Sequence, residues 1–514
     1  MAAKLSLLCL LLLHAVVTPR MLAAQDARAL LQAVAKNIGA DTLQCVTYSG
    51  SGYVGIVGQN YTPRDDWPRV ELASYTKTVN FDARAAREEQ VTRQGSNPAR
   101  GGGVPIEGEA RQVLFVSGNY AWVQQGGNAS PVPAPRRQLD LWLTPHGFVK
   151  AALAASKPVM LTRYEGGEGG GKQRVTMISI TMLDQYRVNA TINADNVIER
   201  VQTWVPNTVV GDMYYETVYS GYKTFGALKF PTRFHHHDDL DDESSGNPVV
   251  RGGHHGFDMA VSRVEANACG DAIAVPESVR NFRPPQIRVE SQKLADGVYS
   301  IGGSSHNTVA VEFRDYVAVV EAPLNEQRSL AVIAEIRKLF PNKPVDYVVN
   351  THHHFDHIGG LRTYVHDEGS AIITYRGNRD FYGQELFSLK AQRTLEPDRL
   401  SLYPPEEAAE GYRFETVIEK YTLSDGARTM DIHHVQGLNH VDGMLVAYLP
   451  KEKILVEADM YNPAPAGSPA PAPTAAAKTF LNNVRRLKLD VATLAPIHGP
   501  VIPWGDFVKV MGSN

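Results

Sequence analysis

The chain has 514 residues, too long for one ordinary domain, so two are expected. Its formal net charge is −4 and its Lys and Arg form no basic stripe, so nucleic acid is not an expected partner. Its three cysteines have no zinc-type spacing, which excludes a thiolate-based metal site.

The first 24 residues read as a secretory signal. Lys4 gives the positive start and Leu5 to Val17 the apolar core. Leu22-Ala23-Ala24 precedes Gln25 as a cleavage site. The apolar run is too short to span a bilayer comfortably, so no stable membrane span is expected after cleavage. The expected location is periplasmic or secreted. Cys45 and Cys269 then remain, either as a disulfide suited to an oxidising compartment or as two buried thiols.

Ala27, Leu30, Leu31, Val34 and Ile38 recur at helical spacing and predict an amphipathic helix over 26–40. From Cys45 to about Asn267 the pattern becomes that of strands. Alternating segments run from Gln112 to Val116, Tyr120 to Gln124, Arg174 to Met182, Tyr186 to Ile192, Val197 to Val205 and Tyr214 to Tyr222, as in an antiparallel meander. Asn193 to Asn196 reads as a turn. The Gly- and Pro-rich pieces at 95–105, 125–136 and 166–171 read as surface loops. Tyr222 to Pro231 reads as one strand entering the next hairpin, weakly similar to the curved sheets of lipoprotein-carrier-like domains. The run His235 to Glu243, with His254-His255 beyond, reads as a solvated hairpin tip rather than a metal-scavenging loop. A polar run without apolar neighbours offers no fixed scaffold for ligands.

Residues 25–285 therefore form a mostly β N-terminal domain, with a Pro-containing linker at 270–289. Residues 286–514 form the second domain. In it Thr308 to Phe313 and Tyr316 to Val320 make a tight hairpin, Ser329 to Phe340 an amphipathic helix, and Val345 to Val349 an apolar strand. Directly after that strand comes Thr351-His352-His353-His354-Phe355-Asp356-His357-Ile358-Gly359-Gly360. Imidazoles two apart on an extended segment, His352 and His354, can face one ion. Asp356 and His357, on the turn into a helix, can face a second. N and O ligands suit zinc, with iron or manganese as alternatives.

This motif resembles that of the metallo-β-lactamase-fold hydrolases, which carry T-H-x-H-x-D-H-x-G-G after a strand and three further ligands downstream. His440 in Leu438-Asn439-His440 resembles the third His of the family's first site. Asp459, ending the strand-like Lys453 to Ala458, resembles the bridging Asp, with Ala458 where the family usually has Gly. His498 in Ala495-Pro496-Ile497-His498-Gly499 resembles the final His. The resemblance covers roughly 290–514 and implies an α+β chain: a C-terminal αββα sandwich preceded by the antiparallel β domain.

It also implies a ligand set. His352, His354 and His440 would hold one zinc, and Asp356, His357 and His498 a second. Asp459 would bridge them, and Asp356 would double as the catalytic residue orienting a metal-bridged hydroxide. The implied activity is that of an exported dinuclear zinc hydrolase acting on an ester, lactone, thioester, lactam or phospho- or sulfo-ester, its substrate a small molecule or derived from a polymer. A filled bridging Asp is more usual in the thioesterase, lactonase and phosphodiesterase branches, and the class with a Cys ligand is disfavoured because no Cys follows residue 269. Two alternatives stand: an iron-dependent, persulfide-dioxygenase-like oxidoreductase of the same fold, and a lipid- or polymer-binding module with an attached hydrolase. All the motifs lie after residue 350, so residues 288–514 are expected to hold the chemistry. Arg376 to Thr416 reads partly as an insertion near the site. His306, in the turn Ser304 to Asn307, reads as a surface His rather than a cleft residue. Tyr461 to Ala476 is either a substrate-facing lip or a passive loop, and Asp442 a candidate partner of His440.

Overall fold

A computed structural model describes residues 26–166, 172–239, 254–388, 392–405 and 411–512. The signal-like segment, the glycines of 167–171 and the acidic run after residue 239 lie outside the described residues.

Among the described residues, thirteen strands pair into one antiparallel N-terminal sheet. Its central strand is His254–Ala266, hydrogen-bonded to Cys45–Gly55 on one side and Arg233–Asp239 on the other. The sheet runs outward to Asn128–Pro131 at one edge and Val159–Gly166 at the other. All six meander segments expected from alternation are strands. The turn at 193–196 closes with Asn196 in the left-handed region, φ 52°. Tyr222 to Pro231 is not one strand but a small hairpin, Lys223–Phe225 against Leu228–Phe230, because Gly226 takes φ 65° and reverses the chain.

A helix spans 26–38, and a second, Pro145–Ala154, opens on a Thr144 side chain that accepts from the Gly147 N–H. Leu31, Val34 and Ile38 of the first and Phe148 and Val149 of the second share one buried cluster with Ile178, Val188 and Val201 of the strands. The two helices thus pack on the strands through these apolar side chains. Cys45 and Cys269 form a disulfide with Cα atoms 5.3 Å apart, joining the first strand to the chain just beyond the last.

The second domain is the αββα sandwich. A seven-stranded sheet runs in sequence order from Glu290–Ala295 to Phe414–Val417, and a six-stranded sheet from Lys420–Ser424 to Ile502–Pro503. Strand Val317–Val320 is buried on both faces, which explains its unbroken apolar text. Val317 and Val319 belong to the cluster shared with helices Glu326–Leu339 and Leu361–Glu368. Ala318 and Val320 belong to the cluster between the sheets, with Met430, Ile432 and Leu445. Helices Ala475–Arg486 and Trp504–Val510 cover the second sheet through Phe480 and Phe507.

The two domains are joined by more than the linker. Arg393 donates to the backbone carbonyls of Asn207, Thr208 and Val209. Asp212 accepts from the backbone N–H groups of Thr394 and Leu395. Residues 393–395 therefore tie the second domain to the first-domain hairpin at 198–220.

The disulfide closes a span of 224 residues, so the unfolded chain loses much freedom. Cys45→Ser with Cys269→Ser should lower stability by about 2–5 kcal/mol. A urea midpoint unchanged between parent and variant would show that the bond adds nothing to the native state.

Candidate metal centre

The candidate ligands lie at one end of the sandwich, where strands of both sheets stop. Val345–Val349 delivers residues 351–357, and the link between Thr429–His434 and Leu445–Leu449 delivers His440. Ile454–Glu457 delivers Asp459, and Thr493–Pro496 delivers His498. Asp459 leaves its strand with φ 58°, and Glu457 Oε2 accepts the Met460 N–H at 3.1 Å to hold that turn. A non-glycine residue in the left-handed region is strained, and such strain collects at functional sites.

Two groups of ligand-type atoms form. His352, His354, His440 and Asp459 have one such atom each within 4.8 Å of one another, and so do His306, Asp356, His357 and His498. Asp459 reaches into both. Its Oδ2 lies 3.4 Å from His352 Nε2, 3.2 Å from His357 Nε2 and 2.9 Å from His440 Nε2. Its Oδ1 lies 2.8 Å from His498 Nε2. All seven residues singled out from the sequence are thus brought together. His353 belongs to neither group.

The second ring nitrogens fix which atom faces inward. His357 Nδ1–H donates to Glu321 at 2.7 Å, leaving Nε2 for the centre. His498 Nδ1–H donates to the Ser305 carbonyl at 3.0 Å, with the same result. His354 is the reverse: its Nε2–H donates to the Asn60 carbonyl at 3.0 Å, so Nδ1 faces His352.

Burial lowers the His352 pKa to about 4 and holds His354 well below the ordinary imidazole value, so both are neutral, as ligands must be. Burial also works against the charged form of His357, but the carboxylates of Asp459 and Glu321 outweigh it and raise that group. A cation can take the place of that proton. His306 Nε2 and His440 Nε2 are buried and face carboxylate oxygens, Asp356 Oδ2 at 3.4 Å and Asp459 Oδ2 at 2.9 Å. Converging imidazole nitrogens and two carboxylates, Asp356 and Asp459, form a donor set that fits divalent metal.

Three readings change. His306 is buried rather than on the surface, with Nε2 3.4 Å from Asp356 Oδ2, because the 303–307 turn folds inward behind His498. Arg328 holds that turn by donating to the Ile301 and His306 carbonyls. Asp442 is exposed and meets the first domain through its backbone N–H, which donates to Tyr61 O. Gly101 and Gly102, expected in a surface loop, are buried against the centre.

The first domain thus walls the site. Gln59 Nε2 donates to Asp356 Oδ1 at 2.8 Å, and Gly101 N–H to the Asn439 carbonyl at 2.9 Å. A Cβ on Gly58 would strike Phe355, and one on Gly102 would overlap Gln59 Oε1 and stand 2.9 Å from His354 Cε1. Neither loop carries a sequence signal for the site, because which surface loop docks there depends on the packing of two domains. Glu321 did carry one: a lone acid at the end of the strand Val317–Val320, three valines and an alanine.

The family model described as "Metallo-beta-lactamase superfamily" matches residues 301–498. A hydroxyacylglutathione hydrolase of Pelagibacter ubique (strain HTCC1062) is 41% identical over 39 residues, 8% of this chain and 16% of that relative's length. A metallo-beta-lactamase from Pontibacter korlensis aligns at 17% identity over 44% of this chain and 100% of its own, TM-score 0.32. The DIM-1 metallo-beta-lactamase aligns at 16% identity over 44% of this chain and 96% of its own, TM-score 0.33.

Gly102→Ala should push Gln59 and His354 out of place while leaving the core intact. Metal affinity should fall about 10–100-fold, as when a ligand's supporting contact is lost. Chelator competition measures this. Parent-like affinity together with parent-like turnover would make the first-domain wall passive.

Proposed function

We propose that the second domain, which belongs to the metallo-beta-lactamase superfamily, is a dinuclear zinc hydrolase completed by the first domain. The observation that carries this reading is the Asp459 carboxylate, within 3.4 Å of imidazoles from both groups. Two cations held close together need an anion between them to offset their repulsion.

His352, His354 and His440 would hold one ion, and Asp356, His357 and His498 the other, with Asp459 between. When bound, the pair supplies Lewis acidity, lowering the pKa of a water and polarising a substrate oxygen. Asp356 offers Oδ2 for the proton of the attacking water, while Gln59 fixes Oδ1 and sets the carboxylate plane. His306 Nε2, 3.4 Å from that Oδ2, can receive the proton and pass it to a leaving group. Gln59, Gly102 and Phe355 close one side of the site against bulk water. Pro463 packs over Gly499, next to His498, so the loop after Asp459 forms another part of the rim.

The substrate class we propose is an activated acyl compound, namely an ester, thioester, lactone or lactam, with phosphoesters next. The short match to a hydroxyacylglutathione hydrolase supports an acyl bond. Export is part of the proposal, supported by the Cys45–Cys269 disulfide.

A hydrolytic screen of zinc-loaded mature protein should find turnover that chelation abolishes, with two zinc equivalents in this centre. Iron with colour, and no hydrolysis of any acyl or phosphoester substrate, would replace this reading with an oxidoreductase. Asp356→Asn should slow hydrolysis about 100-fold or more. Asp459→Ala should cost both ions, whereas His440→Ala and His498→Ala should each cost chiefly one. Two retained equivalents and near-parent turnover in Asp459→Ala would sink the bridging role.

A further inference from the structure

We propose that the first domain carries a separate metal site, a mononuclear centre of three imidazoles from His235, His237 and His255 that takes a divalent transition cation, zinc first. It goes beyond the hydrolase reading and does not rest on it.

The run containing these residues was expected to lack a scaffold. Instead, His235 and His237 lie in the strand Arg233–Asp239, and His255 in its neighbour His254–Ala266. His235 and His237 are two apart and share a face. Opposite them the register breaks. Asp258 pairs with His235, so unbroken antiparallel pairing would set residue 256 against His237, but the partner is His255. This one-residue bulge moves His255 onto the face of the other two. Gly256 is the skipped residue, and a Cβ there would overlap Asp238 Oδ2 and stand 2.9 Å from His236 Cδ2.

One ligand-type nitrogen of each imidazole lies within 4.8 Å of the others, and the ring centroids are 4.5–5.2 Å apart. Each ring also has a carboxylate behind it. His235 Nδ1 lies 3.0 Å from Asp258 Oδ2, and His255 Nδ1 lies 2.7 Å from Asp66 Oδ2. Glu216 Oε1 stands 3.8 Å from His237 Nδ1. Arg69 also reaches His255 Nδ1, at 2.8 Å. A carboxylate oxygen can only accept, however, so a 2.7 Å approach puts the proton on Nδ1.

With Nδ1 protonated on His235 and His255, their Nε2 atoms carry lone pairs, and His237, with Glu216 Oε1 3.8 Å from its Nδ1, has the same tautomer open to it. His235 Nε2 and His237 Nε2 nevertheless face each other at 2.9 Å. Either a proton or a metal cation between them satisfies both nitrogens, and the ligand-type nitrogen of His255 within 4.8 Å of each points to the cation. Three imidazoles backed by three carboxylates is an arrangement that orients ligands and raises their basicity. The side chains are 37%, 17% and 36% exposed, which leaves the fourth position of a tetrahedral ion to water.

The test is metal content of the full chain, without an affinity tag, after dialysis against micromolar zinc. His237→Ala should lower content by one equivalent relative to the parent, and so should His255→Gln on the other strand. The difference is what decides. Parent and both variants with equal zinc overturns this site and leaves the two-metal centre standing. A parent with one equivalent and variants with none supports this site and overturns the two-metal centre. Should His237→Ala fail to fold, His255→Gln carries the comparison, and a proton-shared pair would show as equal zinc with a pH-dependent His235 ring signal by NMR.

Discussion

One carboxylate organises the second domain's functional end. Asp459 meets four imidazoles, two delivered by the first sheet and two by the second, so its position ties the two halves of the sandwich together. Burial raises the energy of a bare carboxylate, yet the surrounding imidazoles hold Asp459 well below the usual range. The site is therefore built to keep a negative charge where two positive groups must approach. Behind it, burial pushes Glu457 up to about 8, which keeps a second negative charge from crowding the same strand end. The left-handed backbone at Asp459 fits this account, since the strain is offset by contacts that a regular conformation would not place.

A second layer decides which nitrogen each imidazole presents. Glu321 serves His357, the Ser305 carbonyl serves His498, and the Asn60 carbonyl serves His354. The first two come from the sandwich itself. The third comes from the other domain, and with Gln59 on Asp356 it makes the first domain part of the site's geometry rather than a cover. The expectation that residues 288–514 hold all the chemistry is thus incomplete in a specific way: the ligands are there, but two of their supports are not.

The metal motif was legible because ligand chemistry is local. His352, His354, Asp356 and His357 fall within six residues, Asp459 and His498 each follow an apolar strand, and His440 precedes one. Strand periodicity likewise located the meander, and the motif's resemblance implied the αββα order. What stayed hidden depends on contacts between segments distant in sequence. Cys45 and Cys269 are 224 residues apart, and nothing in their neighbours says they meet. His306 sits in a Ser- and Gly-rich turn that reads as solvent-exposed until Arg328 draws it inward. The histidine run at 235 was misread because alternation was judged within one strand. Its scaffold is the partner strand, and its convergence depends on a bulge that no single-strand pattern encodes.

The loop 56–68 connects these observations. Its closing hydrogen bond, from Ile56 N–H to Pro68 O at 3.0 Å, makes it a compact unit. One end supplies Gln59 and Asn60 to the metal centre. The other supplies Asp66 to His255, and Trp67 lies edge-on to Phe355, between ligands His354 and Asp356. A loop anchored at both ends loses little further entropy when a ligand is bound, so its carbonyl can hold the His354 tautomer without first being ordered. Anchoring at Asp66 is strongest when His255 is fixed, and a cation shared by three imidazoles fixes it more firmly than a lone hydrogen bond does. The first domain thus meets the metal centre through loop 56–68 and the turn at 101–102, and a Cβ at Gly58 or Gly102 would find no room where the two backbones come closest.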